Sequence, residues 1–458
     1  MKSVPATSVL TASVDTTSVA TTSDPMRVCV SGRCVSPLRA SILAAVLFSA
    51  VLFLAAQPKL IAQPNLAAPQ GDAARGREGA AVELVESFPL ETGLDHPAIR
   101  STREVWMEML RRARSSIDIE QFYIANAPGE ALEEIIRIVE AAASRGVRVR
   151  VIGERKFSET YPETLARLAA APGVEVRMID LTNRESKGVM HAKYFIVDNA
   201  DLFVGSQNWD WRALTHINEI GLRVRDSLAV DAFARLFAYD WALAGGAEAG
   251  EAAAAAGSLP AVFPHEVTVE GERVELTPVF SPRGLLPEGA VWDATALAAL
   301  INDARDSLKL QLLSYGTYDP LEHALLSAAA RGVRVSLLVS DWSLSRSRQK
   351  ALKRLQQTEG ITVRFTSIPE HSGGFISYAR VEHPKYLLVD DNRAWVGTSN
   401  WSPDYFEASR NAGFVLRSSR LATLLHEKFA LSWDGPHVTI IDPDVEYENR
   451  RRDDGSGK

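Results

Sequence analysis

The chain is expected to be an α/β protein of two fused halves, each a mixed sheet flanked by helices, related by a pseudo-twofold axis. Three observations predict this. Its 458 residues exceed what one hydrophobic core usually holds, and a hydrophobic content of 46% is that of a globular chain. A block of residues recurs at a fixed offset of 192: Tyr194 and Tyr386, Val197 and Val389, Val204 and Val396, Gly205 and Gly397, Trp209 and Trp401. Short β-branched runs, 147–152 and 333–339, follow Arg-Gly turns between helical stretches, as buried strands in alternating α/β units do.

Taken in chain order, residues 1–39 begin with a Ser, Thr and Ala-rich stretch without helical or strand periodicity and are expected to be disordered. Residues 40–56 are apolar apart from Ser41 and Ser49, long enough for a short transmembrane anchor or the core of a signal peptide. Arg27, Arg33 and Arg39 precede this segment and only Lys59 follows closely, so the N-terminus is expected to stay cytoplasmic and the bulk of the chain to cross. An uncleaved anchor is the favoured reading; cleavage would give a secreted protein. Residues 57–85, rich in Pro, Gln, Gly and Ala, read as a linker.

The first half is placed at 86–243 and the second at 272–440. At the start of the first, Ser101 and Glu104 form a capping-box pattern ahead of Val105, Met109 and Leu110, which share one helical face. Between the halves, 244–271 reads as a linker, its start belonging to an Ala/Gly-rich stretch with flexibility favoured over helix. Residues 441–458 read as a charged tail, with no core residues from 446 onward. The two cysteines, Cys29 and Cys34, both precede the apolar segment, which excludes disulfides, thiolate nucleophiles and Cys-ligated zinc from everything after it. A net charge of −7 provides no overall field for nucleic acid.

The repeat carries chemistry as well as structure. His191, Lys193 and Asp198 recur as His383, Lys385 and Asp390, and Asn208 recurs as Asn400. On a strand, residues two apart share a face, so each half offers one imidazole and one ammonium together. Packed about a pseudo-twofold, the two sets make one pocket suited to a phosphodiester. The lysines and asparagine amides would stabilise charge on the non-bridging oxygens, while one histidine attacks phosphorus and the other protonates the leaving oxygen. Asp198 and Asp390 follow apolar strands and are assigned to the turn rather than to proton transfer. Tyr123 and Tyr315, and Trp209 and Trp401, are repeat-related candidates for lining the pocket, with core packing the alternative for each. No metal-ligand spacing is present, and no metal or cofactor is expected.

His-x-Lys-x4-Asp followed by Gly-Ser-x-Asn, here His191 through Gly205, Ser206 and Asn208, and again His383 through Gly397, Thr398 and Asn400, resembles the signature of the phospholipase D superfamily. The resemblance covers about 86–438 and implies a metal-independent, two-step mechanism through a phosphohistidine. The segments 205–215 and 397–406 look more closely like the animal lysosomal branch with one N-terminal anchor, whose members are associated with single-stranded nucleic acid 5′-exonuclease activity and lysophospholipid transphosphatidylation. The resemblance also implies a carboxylate about 28 residues after a motif histidine, which falls on Glu219 after His191 but on Asn411 after His383. On that ground Glu219 is expected to orient His191 as nucleophile, with His383 as acid. The expected partner is phospholipid at a membrane surface, hydrolysed or transferred, with single-stranded nucleic acid the alternative. A non-catalytic binding module is weaker because both His/Lys/Asn sets are complete.

Overall fold

A computed structural model describes residues 80–182, 187–260, 262–450 and 452–453. The expected disordered region, the apolar segment 40–56, both cysteines and most of the 57–85 linker lie outside the described residues. Among those described, no helix is long and apolar enough to cross a membrane.

The first sheet runs Arg100–Ser101, Val82–Ser87, Ile217–Val224, Asp201–Gly205, Lys193–Val197, Ser116–Gln121, Arg148–Glu154, Val174–Ile179. The second runs His265–Val269, Glu272–Ser281, Asn411–Arg417, Arg393–Gly397, Tyr386–Val389, Ser307–Leu312, Arg334–Ser340, Ile361–Thr366, Val438–Ile440. In each half the last three strands of the shared order pair in parallel and the motif strands pair antiparallel, so both sheets are mixed and copy one topology. The parallel strands are joined through the helices Ala131–Ser144 and Asp319–Ala330, whose apolar faces are buried.

The halves share a core. Phe233 of the first half stacks on Phe414 and meets Phe280 edge-on in the second, each pair of rings 5.1 Å apart, and all three side chains are fully buried. The backbone also crosses between halves. Val381–Glu382, just before His383, pairs in parallel with Ile217 and Asn218 of the first sheet, and Met190, just before His191, bridges Arg410 of the second half. These two crossings are the pseudo-twofold made visible: 190 and 382, and 218 and 410, are each 192 apart.

Several expectations need correction. The 57–85 linker is too long by a strand, since Val82–Ser87 is wholly buried in the first sheet. Its two glutamates disguise it: Glu83 pairs with Arg223 and Glu86 with Lys428, so polar letters sit at buried positions. The Ala/Gly-rich stretch is not a flexible connector. The helix Ser227–Ala244 runs into it, and Ala249–Ala256 forms a second helix that buries Ala252 and Ala256, with Glu248 and Glu251 closing a capping box. Alanine is the strongest helix former, and here a packing partner lets it act as one. His265–Val269, also within the supposed linker, is the edge strand of the second sheet. Ser101 is the N-cap of Thr102–Arg111 but makes no side-chain capping bond.

At the Met190–Arg410 crossing lies a buried ion pair. Arg410 donates to Asp240 from Nε at 2.8 Å and Nη2 at 2.9 Å, and Nη1 reaches the Ser281 carbonyl at 2.7 Å. Both side chains are completely excluded from solvent. Arg410→Met is therefore expected to cost about 3–5 kcal/mol by stranding the Asp240 carboxylate, measured by denaturant unfolding. A loss below about 1 kcal/mol would show that the pair contributes little to the crossing.

Candidate active site

Both motif histidines sit at the end of a crossing, immediately before the strands that carry the rest of the motif. The His191 N–H donates to the Arg410 carbonyl at 2.8 Å, and the His383 N–H to the Asn218 carbonyl at 2.9 Å. Each half thus delivers its histidine onto a strand of the other. The residues that follow Arg410 and Asn218 on those strands are Asn411 and Glu219, and these meet the imidazoles.

The pairing is crossed, which corrects the expectation for Glu219. Its carboxylate accepts from Nδ1 of His383, with its oxygens at 2.8 and 2.9 Å, while Nδ1 of His191 faces Asn411 Oδ1 at 3.0 Å. The offset of 28 residues identified the right carboxylate, but strand exchange between halves places it beside the distant histidine. Asn411 is the site residue whose part the sequence reading missed. Its amide orientation follows from its other bonds: Nδ2 donates to the Tyr405 carbonyl at 2.8 Å and the Ser409 carbonyl at 3.3 Å, leaving Oδ1 for the Thr398 hydroxyl and His191. An acceptor at Nδ1 requires the proton there, so neutral His191 has its lone pair on Nε2.

The lysines are fully buried beside the histidines. Lys193 Nζ donates to the His191 carbonyl at 2.7 Å and lies 4.9 Å above the Phe122 ring; Lys385 Nζ donates to the His383 carbonyl. Burial depresses both ammonium groups, Lys193 well below its ordinary range and Lys385 to about 7. Burial also pushes both imidazoles well below theirs, with Lys193 and Lys385 each repelling both, which places all four groups in one electrostatic environment. Burial raises the Glu219 carboxyl to about 8 against the attraction of Lys385 and Lys193. The carboxylate facing Nδ1 works on His383 in the opposite sense to the lysines, favouring its imidazolium.

Asn208 and Asn400 are buried in the same region, and the Oδ1 atom of each has no hydrogen-bond partner, so each amide keeps an open polar edge. Asn208 Nδ2 donates to the Tyr123 hydroxyl at 3.3 Å, and that hydroxyl donates to Asp210 at 3.0 Å. Tyr123, Asn208 and His383 line one cavity of about 510 Å³ with Phe157 and Tyr161. His191 is flanked by Phe122 and Tyr405, ring centroids 4.8 and 4.9 Å away. Tyr405 corresponds in the repeat to Ala213, so matching the halves passes over it.

Other assignments divide cleanly. Asp198 accepts from the backbone N–H groups of Arg114, Ser115 and Ser116, and Asp390 from those of Arg305, Asp306 and Ser307, tying the motif turn to the neighbouring strand. Ser206 bonds the Ile220 backbone, and Gly205 and Gly397 lie where a Cβ would strike neighbouring atoms at 2.3 and 2.7 Å. Tyr315, Trp209 and Trp401 do not line the pocket. Each is at most 1% exposed and packed in a hydrophobic core, and the Tyr315 hydroxyl donates to Glu322. The recurrence of the two tryptophans preserves a core, because both copies must pack the same tight turn, whereas Tyr315 is packed where its repeat-mate Tyr123 lines the cavity.

The family model described as "Cardiolipin synthase, PLD-like domain" matches the chain twice, at residues 106–241 and 297–433. Phospholipase D Y of Dictyostelium discoideum is 28% identical over 409 residues, covering 80% of this chain and 92% of that protein. The 5′-3′ exonuclease PLD3 of Macaca fascicularis is 30% identical over 408 residues, covering 78% of this chain and 80% of the relative. Among solved structures, phosphatidylserine synthase of Haemophilus influenzae Rd KW20 superposes with a TM-score of 0.54 at 14% identity, covering 74% of this chain and 85% of that one, which shows a shared fold. With the PLD-like domain present twice and the histidines and lysines of both motifs acting on one another electrostatically, the chain belongs to the phospholipase D superfamily and is a phosphodiesterase of that group.

Proposed function

We propose that the site breaks phosphodiesters in two steps through a phosphohistidine, with His191 as nucleophile and His383 as acid and then base. The observation that carries this is the unequal pair of Nδ1 partners. Asn411 holds neutral His191 with its Nε2 lone pair free to attack phosphorus, whereas Glu219 favours the imidazolium that His383 needs to protonate the leaving oxygen. This keeps the expected roles on different grounds from the sequence reading. In the second step neutral His383 takes a proton from water or an alcohol, which displaces His191 and releases the product. Lys193, Lys385 and the asparagine amides stabilise the charge on the non-bridging oxygens, so activity is expected to persist in EDTA.

Phosphatidyl esters are the proposed substrates, hydrolysed or transferred at a membrane surface. Tyr378 in the cavity wall is 38% exposed, and Phe375 and Leu90 are exposed at 37% and 45%. Arg380, two residues from Tyr378, joins this segment to Leu90 by donating to its carbonyl at 2.6 Å. Segment 40–56 would tether the enzyme on the extracytoplasmic side. The alternative, exonuclease action on single strands, is favoured by the aromatic rings of the cavity, which suit base stacking. Labelled phosphatidyl lipids and 5′-hydroxyl oligonucleotides, each supplied in EDTA to wild type, His191→Ala and His383→Ala, separate the two. Lipid turnover lost in both variants supports the first; oligonucleotide shortening lost in both replaces it.

The depressed Lys385 supplies a pH prediction. A lysine held near 7 is charged below that pH and neutral above it, while a Glu219 carboxyl near 8 is ionised only as pH passes that value, so kcat/KM is expected to peak between about 7 and 8 and to fall on either side. A bound phosphate stabilises the ammonium, and the corresponding limb in kcat should lie higher. A kcat/KM profile flat from about pH 7 to 9 would remove Lys385 charge from the mechanism.

A further inference from the structure

Residues 446–450 and 452–453 fall within the segment read from sequence as a charged tail, yet they are strapped to the second half. The Tyr447 ring packs edge-on against Phe365 at 5.0 Å, while its backbone N–H donates to Gln349 Oε1 at 3.0 Å and its carbonyl accepts from Gln349 Nε2 at 2.6 Å. Arg450 pairs with Asp341 at 3.3 Å and donates to the Ile368 carbonyl at 2.6 Å. The Arg452 carbonyl accepts from the Tyr378 N–H at 2.7 Å, and its guanidinium lies 5.2 Å from the Trp342 ring. The Tyr378 hydroxyl then donates to Asp453 at 3.2 Å.

The destination of this segment gives it meaning. Asp453, Tyr378 and Trp342 line the same cavity as His383 and Asn208, opposite Tyr123, Phe157 and Tyr161 of the first half. Asp453 and Tyr378 are exposed, so they stand at the rim rather than beside the reacting atoms. One wall of the site is therefore held in place by a segment that carries none of the catalytic groups.

We propose that residues 446–450 with Arg452 and Asp453 form a selectivity strap, limiting the size of the phosphorus substituent that lies beside His383. This rests on the phosphodiesterase site described above but on neither substrate class. A strap fixed at Tyr447, Arg450 and Arg452 holds Tyr378 and Asp453 inward, and a group that continues past the rim must displace them.

The test compares the full-length chain, a chain ending at Arg450 and full-length Asp453→Ala. Stopping at Arg450 keeps the Tyr447 and Arg450 anchors and removes the Arg452 anchor together with the Asp453 rim contact. Two probes are used: bis(p-nitrophenyl) phosphate, compact on both sides, and a phosphodiester with a poly(ethylene glycol) chain on each side, its products read by mass spectrometry. The shortened chain is expected to raise kcat/KM for the two-chain diester about tenfold while leaving the compact diester within about twofold, and Asp453→Ala to raise the former about threefold. No change on either probe in both variants would overturn the strap. So would a parallel fall on both probes, which would make the segment a scaffold for the site. Absence of wild-type hydrolysis of bis(p-nitrophenyl) phosphate would instead refute the phosphodiesterase chemistry, and the strap with it.

Discussion

His191→Ala is expected to leave no covalent phosphoenzyme with any substrate and to lower kcat by about 10⁴-fold or more, since the group that splits one displacement into two is gone. His383→Ala should fail differently. With a p-nitrophenyl diester the departing phenolate needs little protonation, so His191 still attacks. The intermediate then persists because no base activates the incoming water. Rapid quench with labelled diester reads both outcomes as acid-labile, base-stable label on protein. Label present in His191→Ala and absent from His383→Ala would reverse the roles.

Glu219→Gln should lower kcat for alkyl leaving groups by about 10²–10⁴-fold, the range expected when a carboxylate behind a catalytic imidazole loses its charge but keeps its geometry. Burial and two lysines oppose the His383 imidazolium, and Glu219, once ionised, offsets them through its bond to Nδ1. A glutamine still accepts from Nδ1 but contributes no charge, so His383 remains oriented and loses acidity at the working pH. The discriminating measurement is the pre-steady-state burst with a p-nitrophenyl diester. The burst should survive in Glu219→Gln while steady turnover falls, because formation of the intermediate needs no strong acid and its breakdown needs a base. Loss of the burst itself would place Glu219 behind the nucleophile, as the spacing along the chain alone suggested.

The difference between those readings shows what a linear sequence conveys here. The repeat made the two-half architecture legible, along with His191, Lys193, His383, Lys385 and both asparagines, because identical chemistry recurs at one offset. Partnership was not legible. Glu219 lies 28 residues from His191 and 164 from His383, yet touches the latter, since each motif enters the other half's sheet by a two-residue or single-bridge crossing too short to leave a hydrophobic pattern. The same limit hid Val82–Ser87, whose buried glutamates find arginine and lysine partners far along the chain. It also hid Tyr378 and Asp453, which join Tyr123 around one cavity from distant segments. In the opposite direction, Trp209 and Trp401 recur for packing, and Tyr123 and Tyr315 recur with one lining the cavity and one in the core, so recurrence alone did not separate chemistry from core.

The exchange of strands means that neither half owns a finished histidine. Two copies of the first half, paired by the same crossing, would set Glu219 against both imidazoles; two copies of the second would set Asn411 against both. Only the covalent joining of unlike halves yields one histidine with an anionic partner and one with a neutral partner. On the proposed roles, the division of labour between attack and proton transfer is a property of the fusion, following from the difference between Glu219 and Asn411 at equivalent positions of the repeat.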